Sequence, residues 1–341
     1  MRIPLLSGIN RKIGIDFGSE RIRIIVEGIG LVADEPSRIA IQRNTGKPVS
    51  VGDDAKAMEG RVQAPLQVVS PIQKGVIFDH KAAAILVHTL LQRVFPRSPL
   101  VNPVFMASIS GAAQLADYEI LNELLYELGA REVYLISAPL AASIGAGVPI
   151  ADASGCFIMQ LGESVVEAAV IALGGSVKHV HTTTAGASIR KVIQRVAKKK
   201  LGLLVSSDAA ELIMSRVVTA DSSRTREQLI TGADSKTTSP TEVLVSSDDF
   251  RQEIMEIVGT YEQLLRTLLT NLPPELTVDV IDKGLLLSGG LGQLDGLDQH
   301  LVNALGIPVS VVENSSRTVI SGIQTALKHL AEFQVSLGYR V

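Results

Sequence analysis

One pattern occurs twice along the chain and restricts its fold more than any other feature of the sequence. It begins near residue 13 with the runs KIGIDFG and RIRIIVEGIGLVADE, and again near residue 155 with GCFIMQLG, SVVEAAVIAL and SVKHVHTTT. Short β-branched runs separated by glycine-containing turns predict strands joined as an antiparallel meander. Helical spacing of apolar residues follows each meander. The sequence therefore predicts an α/β protein made of two related lobes.

The length of 341 residues suits two lobes, because one domain commonly holds about 100–200 residues. We expect the first lobe at residues 1–148, completed by a C-terminal helix at 317–341, with a small subdomain at about 34–65. We expect the second lobe at residues 149–316, with a small subdomain at about 187–250. Ligands favour clefts between lobes, so a ligand cleft is expected there.

Composition excludes several classes of protein. The formal net charge of −3 gives no support for a nucleic-acid-binding protein. The single cysteine, Cys156, lies in an apolar run, which rules out a disulfide scaffold and fits a buried thiol in a reducing compartment. No apolar run in the sequence reaches the roughly 18 residues of a membrane-spanning helix. We therefore expect a cytoplasmic protein.

Three segments, in this order, resemble the MreB type of bacterial actin. They are GIDFGS near the start, GAREVYLISAPLAASIGAGVPI in the middle and IDKGLLLSGGLGQLDGLD near the end. Each motif alone is weak, but the ordered set is specific and covers essentially the whole chain. The resemblance implies an actin-like fold with four subdomains, and ATP with Mg²⁺ in the cleft between the lobes. It also implies protofilaments, which pair on the membrane and organise cell-wall synthesis in elongating bacteria.

The same resemblance assigns a set of residues to the nucleotide cleft. Phosphate binding requires small residues at turns, so that backbone N–H groups can approach the anion. Hydrolysis further requires carboxylates around Mg²⁺ and a group that orients the attacking water. The assigned residues, which we expect to be weak or vestigial in this role, are Asp16, Gly18, Ser19, Arg21, Gln160, Gly162, Glu163, Ser207, Ser288, Gly289 and Gly290.

The first phosphate turn keeps part of the family pattern. Asp16 stands where the family has its metal-side aspartate, and Gly18 and Ser19 allow a tight turn. The family has small or amide residues at the next two positions, where this chain has Glu20 and Arg21. Arg21 can pair with a phosphate, whereas Glu20 would repel one. An ordinary strand turn with solvated charges is the alternative interpretation.

The second phosphate turn departs further from the family. Where the family reads Asp-Ile-Gly-Gly-Gly-Thr-Thr, this chain reads Gln-Leu-Gly-Glu-Ser-Val-Val from residue 160. Gln160 replaces the metal-side aspartate with a neutral amide. Glu163 brings a carboxylate toward the phosphate position, at a cost on the order of 1–4 kcal/mol. The strand pattern is retained, but the groups that handle phosphate and metal are not.

Three further segments complete the comparison. Ser137 and Ala138 stand where the family has the two glutamates of its water-activating segment, and a serine hydroxyl is no general base at neutral pH. The family's Gly-Gly-Asp-x-Met-Asp is matched by Ala185–Arg190, without a carboxylate. Ser207 stands where a glutamate approaches the nucleoside in the family. Only the turn at Ser288, Gly289 and Gly290 is kept. Leu291 stands in the place of a third glycine, where its side chain would crowd the approach of the nucleotide.

We therefore predict a filament protein whose ATP hydrolysis is impaired or lost. We expect no catalytic residue, no metal ligand and no required cofactor. This prediction does not exclude binding of ATP with Mg²⁺. One alternative is an active filament ATPase with a site rearranged around Asp16, Arg21 and Glu163. A second is a non-polymerising adaptor with the same fold. The expected partners are further copies of the chain in protofilaments that pair, other MreB-type proteins, and the inner face of the cytoplasmic membrane.

Two apolar segments are predicted to contact that membrane. Ile3, Leu5 and Leu6 lie in a basic N-terminal segment, and Leu100 and Val101 lie in a proline-bounded loop. Two weak anchors per subunit bind poorly alone, but a polymer adds them by avidity. The predicted location is peripheral, at the inner surface of the cytoplasmic membrane.

One further motif is the pair His179 and His181, which alternate along a predicted strand. Residues two apart lie on the same face of a strand. A metal-binding pair is therefore one interpretation, and two solvated strand residues are the other.

Overall fold

The fold is that of a computed structural model, which describes residues 11–96, 102–149, 153–270 and 272–332. The strands are β1 (Lys12–Phe17), β2 (Arg21–Val26), β3 (Gly30–Pro36), β4 (Ile39–Gln42), β5 (Pro48–Val51), β6 (Leu66–Val69), β7 (Ile72–Gln73), β8 (Val76–Ile77), β9 (Val104–Ile109), β10 (Glu132–Ser137), β11 (Cys156–Leu161), β12 (Val166–Ala172), β13 (Gly175–Thr182), β14 (Leu203–Leu204), β15 (Glu227–Asp234), β16 (Pro240–Ser246), β17 (Leu285–Ser288) and β18 (Val309–Val311). The helices are α1 (Asp53–Met58), α2 (His80–Val94), α3 (Leu115–Glu127), α4 (Ala138–Gly145), α5 (Gly186–Leu201), α6 (Ser207–Arg216), α7 (Arg251–Leu269), α8 (Pro274–Lys283), α9 (Leu297–Leu305) and α10 (Thr318–Lys328).

Two five-stranded sheets have the same topology. Their strand orders are β10-β9-β1-β2-β3 and β13-β12-β11-β17-β18. In each sheet three consecutive strands form an antiparallel meander, β1 to β3 or β11 to β13. Two later strands are then added in parallel beside the first strand of that meander. The α/β fold with a repeated meander, which the sequence predicts, is confirmed.

The chain forms two compact units. One comprises Met1–Ala151 and Thr318–Val341, and the other comprises Asp152–Arg317. Each unit also contains a small three-stranded sheet, β5-β4-β6 in the first and β14-β15-β16 in the second. Strands β4 and β5 lie within the segment 34–65 expected for the first small subdomain, whereas β6 (Leu66–Val69) lies just beyond it. All three strands of the second small sheet lie within the segment 187–250.

The core of the first unit requires two glycines where its helices meet. Helices α4 and α10 approach so closely that a Cβ atom at Gly322 would lie 1.8 Å from the carbonyl oxygen of Ala141. A Cβ atom at Gly145 would lie 1.9 Å from the carbonyl oxygen of Thr318. Here the absence of a side chain permits the close backbone contact. The other face of the sheet packs Ile13, Ile15 and Phe17 into an apolar core shared with α2 and α3.

The core of the second unit lies between its five-stranded sheet and helices α5 and α7. Phe157 and Met159 of β11 pack with Ile193 of α5 and with Tyr261 of α7. Helix α8 is an element that the sequence patterns do not predict. It buries only Leu276 and Val280 and leaves Val278 and Ile281 more than half exposed. Its apolar residues therefore do not lie on a single face, and the sequence lacks the spacing that would predict a helix.

Candidate functional site

In the first unit, the candidate site centres on Asp16 at the end of β1. Asp16 is buried, and its register neighbour on β2 is Arg23. The hydroxyl of Ser108 on β9 donates to Asp16 Oδ1 at 2.9 Å, and Arg23 Nη1 lies 3.4 Å from Asp16 Oδ2. Both carboxylate oxygens are therefore engaged by groups of the chain.

Burial raises the pKa of Asp16, although the charge of Arg23 and the hydrogen bond from Ser108 act in the opposite direction. Withdrawal from water disfavours the charged form of a carboxyl group. Ionisation of this carboxyl group is therefore less favourable than it would be in water.

The turn after β1 has its charged side chains paired within the first unit. Arg21 Nε lies 2.6 Å from Asp34 Oδ1. The carboxylate of Glu20 lies 2.9 Å from Arg38 Nη2 and 2.8 Å from Lys56 Nζ. The interpretation of this turn as one with solvated charges is therefore wrong, because the folded chain provides each charge with a partner.

The two small residues of this turn fit its tight geometry. A Cβ atom at Gly18 would lie 2.4 Å from the carbonyl oxygen of Arg21, so only glycine fits there. Ser19 Oγ accepts a hydrogen bond from the backbone N–H of Gly75 at 3.2 Å. The loop is thus held by contacts within its own unit.

In the second unit, Gln160 occupies the position in the large sheet that Asp16 occupies in the first unit. Gln160 of β11 is the register neighbour of Ser288 on β17 and of Glu167 on β12. The identical topology makes Gln160 the counterpart of Asp16, and Glu167 the counterpart of Arg23. Gln160 Oε1 is buried and has no hydrogen-bond partner among the described residues. An amide thus stands where the first unit has its carboxylate.

Glu163 at the second turn belongs to an ion cluster centred on Arg190. Glu163 Oε1 contacts Arg190 Nη2, and Arg190 Nη1 lies 2.8 Å from Glu211 Oε2 on α6. The side chains of Glu163 and Arg190 are each only 15% exposed. Sequence reasoning identified the departures at Glu163 and Arg190 separately, whereas the structure joins them in one contact.

The backbone around Glu163 is tied to the first turn of α5. The N–H of Gly186 donates to the carbonyl of Gly162 at 3.2 Å, and that of Ala187 donates to the carbonyl of Glu163 at 2.8 Å. A Cβ atom at Gly186 would lie 2.6 Å from Glu163 Oε2, so the carboxylate lies directly against the start of the helix. A helix N-terminus and an arginine together attract an anion. The anion at this position is a side chain of the chain itself.

The remaining predicted positions are backbone turns and helix starts. Gly289 has φ +88°, and its Cβ would lie 2.2 Å from the carbonyl oxygen of Leu161. Its N–H donates to the carbonyl of Ser315 at 2.8 Å, and the hydroxyl of Ser288 donates to the same carbonyl at 3.4 Å. Gly290, which follows, is exposed. This turn is thus held by backbone contacts that require glycine at position 289.

Leu291 is a core residue, and Ser207 begins a helix. Leu291 is buried in the core of the second unit, where its side chain serves packing. Ser207 is the first, exposed residue of α6, and the preceding Ser206 caps that helix by accepting a hydrogen bond from the N–H of Ala209 at 3.1 Å. Ser137 precedes α4 as its N-cap residue.

Of the two histidines of β13, His179 lies beside a buried glutamate. His179 Nε2 lies 3.2 Å from Oε1 of the buried Glu167, and the rings of His179 and His181 stack with centroids 5.9 Å apart. Within the described part of the chain, no cluster of three or more His, Cys, Asp or Glu side chains could hold a metal ion. The interpretation of His179 as a solvated residue is wrong, because it is only 19% exposed and faces Glu167.

The residues predicted to contact the membrane belong to two segments of the chain. Ile3, Leu5, Leu6, Leu100 and Val101 lie outside the described residues. Among the helices that the structure does describe, none is both long and apolar enough to cross a bilayer.

Comparison with known proteins agrees with the fold. The family model described as MreB/Mbl protein matches residues 10–335. Cell shape-determining protein Mbl of Bacillus subtilis is 30% identical over 321 residues, which cover 94% of this chain and 96% of that protein. Cell shape-determining protein MreB of Escherichia coli is 30% identical over 322 residues, which cover 93% of each.

Solved structures show the same actin-like architecture. The crystal structure of MreB5 of Spiroplasma citri bound to AMPPNP has a TM-score of 0.90 at 24% identity and covers 97% of this chain and 100% of that chain. The MamK double helical filament has a TM-score of 0.78 at 17% identity and covers 93% of this chain and 98% of that chain. The predicted actin-like fold is thereby confirmed.

A double-mutant cycle tests whether Glu163 and Arg190 depend on each other. Glu163→Gln and Arg190→Met should each lower the free energy of unfolding, because each leaves a largely buried charge without its main partner. The double variant should recover part of the loss, with a coupling energy of roughly 1–3 kcal/mol. Urea unfolding measures all four proteins.

The exposed pair Lys12 and Glu27, at 2.9 Å, provides the matched control for this cycle. Its coupling should stay below about 1 kcal/mol, as for other surface pairs. A coupling between Glu163 and Arg190 no larger than that of the control would show that the cluster does not hold the turn.

Proposed function

The chain belongs to the MreB/Mbl protein family, and from this premise we propose that it assembles into actin-like filaments while its ATP hydrolysis is impaired or lost. The observation that carries the second part is the position of the Glu163 carboxylate, against the first turn of α5 and paired with Arg190. The family resemblance assigns this turn to a nucleotide phosphate. Two like charges 4 Å apart repel by about 4 kcal/mol at an effective dielectric constant of about 20. A phosphate would meet this repulsion unless Glu163 moved.

The metal side supports the same proposal. Mg²⁺ in nucleotide sites is held through carboxylates and water. Gln160 supplies no charge, and the two carboxylate oxygens of Asp16 contact Ser108 and Arg23. With one carboxylate replaced and the other engaged, the chain offers little to retain the ion.

The position for water activation lacks a base as well. Ser137 occupies the first of the two positions where the family has glutamates, and Ala138 occupies the second. A serine hydroxyl does not accept a proton from water at neutral pH. Nucleotide that bound here would therefore be hydrolysed slowly.

Self-assembly is supported by the family and by its fold relatives. The related Mbl and MreB proteins are named as cell shape-determining proteins, and the MamK relative was solved as a double helical filament. We propose the same type of assembly for this chain, with a role in cell shape. Copolymers with other MreB-type proteins are part of the proposal. A protein that stayed monomeric at high concentration would instead favour the non-polymerising adaptor.

The active ATPase remains the main alternative. Its support is that MreB5 of Spiroplasma citri, which shares the fold, was crystallised with ADP and with AMPPNP. The rearranged site would need Asp16, Arg21 and Glu163 to face the nucleotide. In this chain Arg21 contacts Asp34, and Glu163 contacts Arg190. These pairings favour the pseudo-ATPase.

Assembly without nucleotide is the central test of the proposed function. We expect the purified protein to form filaments in the presence of EDTA and without added nucleotide, as seen by sedimentation and negative-stain electron microscopy. Phosphate release from added ATP and Mg²⁺ should stay at the level of the buffer blank. Filaments that form only with ATP and Mg²⁺, accompanied by phosphate release, would establish the active ATPase instead.

Membrane association at the inner surface of the cytoplasmic membrane is proposed from the sequence alone. The protein should co-sediment with vesicles of anionic lipid, and Leu100→Ser combined with Val101→Ser should reduce the bound fraction because an apolar anchor is lost. The same paired change at the exposed residues Leu229 and Leu244 provides the control and should have no effect. Equal binding by the wild type and the loop variant would remove the loop from the proposal.

A further inference from the structure

Two exposed helix faces carry rows of like charge, and the two rows have opposite sign. On α3 the acidic row consists of Glu119, Glu123 and Glu127. On α5 the basic row consists of Lys191, Arg195 and Lys199. All six side chains belong to exposed residues, and residues four apart lie on the same side of a helix.

Within the chain, neither row is neutralised. Among the described residues, Glu119, Glu123 and the three cations of the basic row have no ion pair, and Glu127 has only His80 at 3.8 Å. By contrast, Arg190 in the same helix as the basic row contacts two carboxylates. Like charges four residues apart repel and destabilise a helix. Each row thus carries a repulsion that a partner of opposite charge would relieve.

The apolar faces of both helices are already used. Leu121, Leu124 and Leu125 of α3 are buried in the core of the first unit. Ile189 and Ile193 of α5 are buried in the core of the second unit. A helix that binds a bilayer surface inserts an apolar face, and α5 has none to spare. An acidic protein surface is the better partner for the basic row, and the chain itself carries one.

We propose that the basic row of one copy binds the acidic row of a second copy. Both rows span the same number of residues, about 12 Å along a helix with a rise of about 1.5 Å per residue. Three cations can therefore face three carboxylates along parallel or antiparallel helices. Tyr126, which is 45% exposed, lies three residues after Glu123 on α3. Tyrosine and arginine are the side chains that most often anchor protein interfaces.

Such a contact joins two different surfaces and therefore propagates. Each bound pair still has one acidic row and one basic row available for further copies. Heterologous contacts of this kind build rings or open filaments. This inference rests on the proposed function and assigns one of its interfaces. Because exposed charges are screened by salt over about 8 Å at 0.15 M, assembly through these rows should weaken as the salt concentration rises.

Two charge-reversal variants test the contact. The first combines Lys191→Glu, Arg195→Glu and Lys199→Glu, and the second combines Glu119→Lys, Glu123→Lys and Glu127→Lys. Each variant then carries two rows of the same sign, so its critical concentration for sedimentation should rise at least tenfold. A 1:1 mixture of the two should assemble again, because each variant now offers the row that the other needs. One chain that carries all six changes should also assemble.

The control matches the change in net charge of the first variant. Arg43, Lys47 and Arg61 are exposed cations in the first unit, and reversing all three to glutamate should leave the critical concentration within about twofold of the wild-type value, as expected for charges outside an interface. Circular dichroism melting curves check that every variant folds.

The outcomes separate this inference from the proposed function. Wild-type filaments together with unaffected reversal variants would overturn the inference alone. The inference would also be overturned if the two variants failed to assemble alone, in their 1:1 mixture and when all six changes are combined in one chain. Loss of binding to phosphatidylglycerol vesicles in the first variant would then assign the basic row to lipid. A wild-type protein that stays monomeric at every concentration and salt level would overturn both.

Discussion

The contact between the Glu163 carboxylate and the Arg190 guanidinium is the interaction on which this account depends. It joins the turn between β11 and β12 to the first turn of α5 and, through Glu211, to α6. The start of a helix attracts negative charge. In the MreB/Mbl family, the resemblance assigns that charge to a nucleotide phosphate. Here a side chain supplies it, so three elements of the second unit are held together by a group that is always present.

The repeated sheet carries different side chains at equivalent positions of the two units. Both large sheets have the same strand order, and equivalent positions hold Asp16 in one and Gln160 in the other. The close backbone contact of the turn occurs in both units, because a Cβ atom at Gly18 would lie 2.4 Å from the carbonyl oxygen of Arg21, and one at Gly162 would lie 2.7 Å from that of Val165. The charged side chains beside these turns are paired within each unit, Asp16 with Arg23 and Glu163 with Arg190. These internal pairings support the proposal of a filament protein whose ATP hydrolysis is impaired or lost.

Much of the fold can be predicted from the sequence, because strand alternation, helical spacing and turn residues are local signals. The meanders at β1 to β3 and β11 to β13 are examples. The pairing of Arg23 with Asp16 could also be predicted from the sequence, because the hairpin register places the two residues opposite each other. The contact of Glu163 with Arg190 was not, because the two residues are 27 positions apart and only the packed α5 brings them together. Likewise, the pairing of His179 with the buried Glu167 depends on how neighbouring strands align.

The most direct measurement is a calorimetric titration of ATP with Mg²⁺ into the wild type and into Glu163→Ala. Removing the carboxylate leaves Arg190 and the first turn of α5 without their internal anion. We expect Glu163→Ala to bind ATP at least about tenfold more tightly than the wild type, which corresponds to about 1.4 kcal/mol. Glu211→Ala, which leaves the contact between Glu163 and Arg190 in place, should bind as the wild type does. Equal or weaker binding by Glu163→Ala would contradict the claim that this carboxylate occupies the position of a phosphate.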